Sequence, residues 1–83
     1  MSTNDSIAFG ALELWTIYKD PSDYPGRYLV RRFVSVKGFL VVDDEPLAVV
    51  EDLAAARLAL PPYATHNFGR MVDDQPHIVE TWA

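Results

Sequence analysis

The stretch Leu12 to Lys19, LELWTIYK, most constrains what this chain can fold into. Its β-branched, aromatic and aliphatic residues suit a strand, yet they fall on both sides of a period-2 pattern. Leu12, Leu14, Thr16 and Tyr18 share one face, and Glu13, Trp15, Ile17 and Lys19 share the other. A strand with no face made for open water belongs at the centre of a sheet. A chain of 83 residues has few other elements with which to cover both faces. Covering the second face is therefore the problem that any fold of this sequence must solve.

The rest of the chain supplies a short list of partners. Residues 1–6 are small or polar after the initiating Met and are expected to be disordered, with one α+β domain over 7–83. Ile7 and Phe9 are expected to dock loosely ahead of the first strand. After that strand, Asp20-Pro-Ser-Asp-Tyr-Pro-Gly is a stiffened connection, because two prolines fix φ and the Asp side chains cap turns. Tyr28 to Val36, YLVRRFVSV, alternates as a second strand antiparallel to the first and sends Arg31 and Arg32 to opposite faces. Gly38 marks a bulge or a turn into a third strand ending in FLVV, which Asp43-Asp44-Glu45-Pro46 stops. Residues 47–50 make another brief strand. Asp52 is placed to cap a helix over 53–60, with Leu53, Ala56 and Leu60 as its apolar stripe and Pro61-Pro62 as its end. Residues 63–70 read as loop, 73–76 as a turn, and 77–82, HIVETW, as the last strand. The expected architecture is α+β, a small antiparallel sheet of three to five strands with one short helix packed on one face.

Composition excludes several classes of function. There is no cysteine, so a disulfide framework, a zinc ribbon and a thiol nucleophile are all excluded, which fits a reducing cytoplasm. The N-terminus lacks a basic region followed by a long apolar one, and no apolar run approaches the length of a membrane span. A soluble, unexported, cytoplasmic protein is expected, with no membrane partner. The net charge of −5 counts against direct nucleic-acid binding, which draws its non-specific affinity from Lys and Arg. Charge is also unevenly placed. Lys19, Arg27, Arg31, Arg32 and Lys37 stand close together against Asp20 and Asp23, whereas the remainder holds two basic residues against ten acids. Those acids cluster at Asp43, Asp44, Glu45, Glu51 and Asp52, and at Asp73, Asp74 and Glu80. They read either as ordinary solvated charge or as an acidic face for a basic partner.

No catalytic constellation emerges. A chain this short rarely forms both a core and a cleft, so no enzyme activity and no cofactor are expected. His66 and His77 with Asp73 or Asp74 match no metal-ligand spacing. Asp43-Asp44-Glu45 lacks the alternating oxygen ligands of a calcium loop, and Ser35 has no nucleophile elbow. Glycines at 10, 26, 38 and 69 are too scattered to cradle phosphate. Tyr24, Arg27, Tyr28, Arg31 and Phe33 mix aromatics with guanidinium groups, as protein interfaces do. With Arg32, the same Tyr24, Arg27, Tyr28 and Arg31 would suit a single-stranded nucleic-acid binder, the alternative reading.

Over about a third of its length, at LWTIYKDPSDYPGRYLVRRF and PHIVETWA, the sequence resembles a group of short bacterial and phage proteins of uncharacterised activity. The group shows a WTIY-x-x-P-x-D-Y-P opening and an IVE-x-W ending. The resemblance implies a small self-contained domain, and its setting in mobile elements is similar to that of anti-CRISPR and other anti-defence proteins, which are typically short, acidic and non-enzymatic. It carries over no catalytic residue. The expectation is a non-enzymatic interaction domain, most concretely an anti-defence inhibitor that occludes a basic nucleic-acid-binding complex. Tyr24, Arg27, Tyr28, Arg31, Phe33, Asp43, Asp44, Glu45, Asp73 and Asp74 are its contact residues, and a homodimer is expected as one way to cover the second face.

Overall fold

The computed structural model describes residues 12–70 and 76–83. In chain order these form β1 (Leu12–Lys19), β2 (Tyr28–Val36), β3 (Phe39–Val42), β4 (Ala48–Val50), the helix α1 (Leu53–Leu58), β5 (Asn67–Gly69) and β6 (Ile78–Trp82). All strand pairs are antiparallel and build one sheet in the order β3-β2-β1-β6-β5, with β4 pairing β2 as well. β1 is thus interior, as its two apolar faces require.

Register divides the side chains between the two faces, because cross-strand partners share a face. Trp15 lies opposite Arg32 and Trp82, and Ile17 opposite Val30 and Glu80. Trp15, Ile17 and Val30 are buried together with Ala56 of α1 and Ala64, and Tyr28, Ala48, Val50, Leu53, Leu60 and Trp82 pack around them. Asp52 starts the helix by accepting a hydrogen bond from Ala55 N–H at 2.7 Å, in the geometry of an N-cap. The helix ends at Leu58, earlier than its apolar stripe implies, yet Leu60 continues that stripe onto the core.

The opposite face carries Leu14, Thr16, Tyr18, Leu29, Arg31 and Phe33. Part of its cover is the connection between β1 and β2. Asp23 in that connection reaches Arg31 at 3.3 Å, Pro21 is buried, and Leu29 is 1% exposed. Asp20 holds the turn by accepting from Gly26 N–H at 2.6 Å, where Gly26 has the positive φ of 76° that a side chain disfavours. A loop therefore performs some of the covering that the sequence left open.

Several boundaries differ from the sequence reading. Among the described residues the sheet has six strands rather than three to five, since the segment 63–70, read as loop, contributes β5. That strand is three residues long with an irregular register against β6, so its sequence carries little periodicity. The brief strand expected at 47–50 starts at Ala48, and the last strand starts at Ile78 rather than His77. Expectations for residues 1–11 and for the turn at 73–75 lie outside the described residues.

Candidate interaction surface

The arginine and aromatic residues singled out from the sequence do not share one surface. Tyr28 lies on the helix-covered face and packs against the core, whereas Arg31 and Phe33 lie on the other. Tyr24 sits half-buried in the β1–β2 connection, where its N–H donates to the Pro21 carbonyl at 3.0 Å. Each guanidinium of this region already has an acid: Arg27 pairs Glu51 at 3.2 Å, Arg31 pairs Asp23 at 3.3 Å, and Arg32 pairs Glu13 at 2.7 Å and Asp43 at 3.3 Å. Glu13, as a hydrogen-bond acceptor, is the chief reason the Arg32 pKa lies above its ordinary value. A phosphate backbone would have to displace these carboxylates, so the nucleic-acid reading loses its electrostatic advantage.

The acids behave differently. Asp43 is committed to Arg32, but exposed Asp44 and Glu45 make neither an ion pair nor a hydrogen bond among the described residues. Asp73 and Asp74 lie outside those residues. Glu80 is the buried exception, 7% exposed. Arg57 donates to it through Nε at 3.0 Å and through Nη2, Asn67 Nδ2 donates at 3.2 Å and Trp82 Nε1 at 3.0 Å. The hydrogen bonds from Arg57, helped by those of Trp82 and Asn67 and opposed by burial, lower its pKa from 4.5 to about 2. This network ties α1 to β5 and β6 and is structural: every oxygen is spoken for.

The surface that sequence reasoning missed is β3. Phe39, Leu40, Val41 and Val42 are 74%, 62%, 56% and 44% exposed, so four consecutive apolar residues face water on both sides of a strand. The strand forms one end of the sheet and has no neighbour beyond it among the described residues. Its hairpin with β2 is closed by Lys37 and Gly38, both at positive φ (49° and 83°), as a two-residue type I′ turn requires. Asp43 N–H donates to the Arg32 carbonyl at 3.2 Å. By the alternation of an antiparallel ladder, Phe39 and Val41 then also turn their backbone groups toward β2, and Leu40 and Val42 turn theirs outward. The signal was present in the sequence as an unbroken apolar run between a turn and a block of acids with proline, the arrangement that guards an exposed edge.

A cleft of about 170 Å³ lies among Leu12, Glu13, Trp15, Tyr63 and Ala83, with the Tyr63 ring edge-on to Trp15 at 5.5 Å. Its one acid is Glu13, already bonded to Arg32. His77 Nδ1 lies 3.1 Å from the Lys19 carbonyl and His66 packs on Phe68. No group of three or more His, Cys, Asp or Glu close enough to hold a metal ion occurs among the described residues, and no helix among them is long and apolar enough to cross a membrane. No protein-family model matches the chain, and no curated protein or solved structure shows significant similarity to it.

Proposed function

We propose that this chain is a small non-enzymatic protein-interaction domain that meets its partner through β3 and the acids Asp43, Asp44 and Glu45 that follow it. The observation that carries this reading is the run of four exposed apolar residues on an open sheet edge. An edge of that kind attracts a further strand, with backbone bonds supplying affinity and alternate side chains supplying specificity. Arginines committed to internal carboxylates, beside unpaired Asp44 and Glu45, leave this end of the molecule negative and favour a basic partner.

In its most concrete form, the domain is an anti-defence inhibitor that occludes a nucleic-acid-binding surface, a form supported by the acidic composition and by the motif resemblance at residues 14–33 and 76–83. Labelled single-stranded DNA and RNA titrated at low and high salt test the interaction reading first. No binding at either salt is expected, and binding that weakens steeply with salt would overturn it in favour of a strand binder. Expression in hosts with active CRISPR interference should raise the plating efficiency of a targeted phage in at least one system. Unchanged plating in all of them would remove the anti-defence form.

A further inference from the structure

We infer that the occupant of the β3 edge is a second copy of this chain, paired antiparallel about a two-fold axis normal to the sheet and passing beside Val41. The inference rests on the reading of β3 as an interaction edge and gives that edge to a second copy, which leaves Asp43 and Asp44 of each copy to meet a basic partner.

The register follows from three constraints. A two-fold normal to the sheet reverses the strand and keeps each residue on its own face, so one residue must lie opposite itself. The backbone groups left open are those of Leu40 and Val42. Centring the axis on Val41 sets Leu40 opposite the second copy's Val42. Leu40 N–H then donates to the Val42 carbonyl and Val42 N–H to the Leu40 carbonyl, once in each direction, leaving no outward group of β3 unsatisfied. Centring it on Leu40 would instead bring Val42 against the second copy's Gly38, whose φ of 83° belongs to the turn rather than to a strand.

Charge supports the same pairing. β3 has Lys37 before it and Asp43, Asp44 and Glu45 after it. Antiparallel pairing brings the basic end of each copy, at Lys37, to the acidic end of the other, at Asp43, Asp44 and Glu45. Neither Lys37 nor Glu45 has an ion pair among the described residues, and both are exposed. A parallel pairing would stack Lys37 on Lys37 and acid on acid, and it would not close. Apolar contacts complete the join, with Leu40 beside Val42 on one face and Val41 beside its own copy on the other.

Sedimentation velocity over a wide concentration range tests this on the full chain, with circular dichroism and melting curves as folding controls. The parent protein should show a monomer–dimer equilibrium. Val41→Lys puts like charges opposite each other on the axis and should raise Kd by about tenfold or more. Leu40→Pro removes an outward N–H while sparing the β2–β3 ladder, and should abolish the dimer without unfolding the chain. Lys37→Glu should weaken dimerisation, and the double swap Lys37→Glu with Glu45→Lys should restore it, an outcome special to the antiparallel register. In hydrogen exchange, the Leu40 and Val42 amides should gain protection as concentration rises, whereas those of Phe39 and Val41 are protected throughout. A chain monomeric at every concentration, or a dimer indifferent to Val41→Lys and Leu40→Pro, overturns the inference. A monomer that still captures another protein, and loses it with Val41→Lys, overturns the second copy but keeps the interaction reading. A monomer whose every contact ignores β3 overturns both.

Discussion

Replacing Glu80 by Gln removes one charge from the junction of α1, β5 and β6, and its effect should depend on pH in a defined direction. The folded pKa lies at about 2 against an ordinary 4.5, chiefly because Arg57 hydrogen-bonds the carboxylate. A folded value below the unfolded one means that the carboxylate stabilises the fold fully above the unfolded pKa, and that this contribution is lost as pH falls through 4.5 toward about 2. The full depression corresponds to at most about 3 kcal/mol. Arg57 is half exposed, and water screens that side of the pair, so about 1–2 kcal/mol is the expected contribution. Urea unfolding of the parent and of Glu80→Gln across the acid range isolates it, since the two proteins share every other carboxylate. The parent should be more stable near neutrality, and the two stabilities should converge as pH approaches 2. A gap that keeps its size from neutral to strongly acid pH would mean that Glu80 acts through shape and neutral hydrogen bonds, and that its charge is immaterial.

Other substitutions probe the remaining joints. Trp15 is 2% exposed on the interior strand, so Trp15→Ala should cost about 3–5 kcal/mol in chemical unfolding, and a variant that melts with the parent would contradict the core described. Asp52→Ala removes the N-cap of a six-residue helix and should cost about 1 kcal/mol by the same measurement, with no cost if Ala55 N–H is as well served by water. Changing Asp43, Asp44 and Glu45 to Ser should leave the melting temperature nearly unchanged, because these residues are exposed and the one ion pair lost is a surface pair worth at most about 1 kcal/mol. The same triple change should slow association with a basic partner at low salt, and a rate indifferent to mutation and salt would remove the acidic contact.

The sequence revealed most where a local pattern determined the outcome. LELWTIYK shows its two apolar faces without any knowledge of its neighbours, and its interior position follows. Asp52 announces the helix because an N-cap is a local hydrogen bond, made here to Ala55. Gly38 announces the turn because its backbone needs a positive φ. What stayed hidden depends on register, which local patterns do not contain. Arg32 meets Glu13 because β1 and β2 align Trp15 with Arg32 and Glu13 with Val34 on one face, so two residues 19 apart in sequence become a pair. With another register, the arginines would have stood free, as the basic stretch of the sequence invited one to suppose. Glu80 is hidden for the same reason: in HIVETW it is one acid among apolar neighbours, and only the approach of Arg57 and Asn67 makes it the hub of a network. The exposure of β3 escaped notice because FLVV reads alike whether its faces are covered or bare.

That bare strand raises the question of why the molecule does not assemble without limit. β3 and β4 lie along the same side of β2, but they are not one continuous strand. Phe33 pairs Val42 whereas Val30 pairs Ala48, and Asp43 and Leu47 still donate their N–H groups to the Arg32 and Val30 carbonyls, so the chain between them is pushed out of the ladder as Asp44, Glu45 and Pro46. The extrusion also changes which face the edge strand serves: Val42 shares a face with Phe33, away from the helix, while Ala48 and Val50 join the core beneath α1. It thereby supplies helix-side apolar groups where the core needs them and cuts the open apolar edge to four residues ended by acids and a proline. Without it, an apolar edge running from 39 to 50 would be a template for further strands. At the far end of the sheet, β5 offers only Asn67, Phe68 and Gly69, too short and irregular to propagate pairing. The two-fold join proposed at β3 would consume the open edges of both copies at once. In that pair the same acids that limit the edge would face Lys37 across the axis, so the device that prevents indefinite growth would also be the one that selects a closed pair.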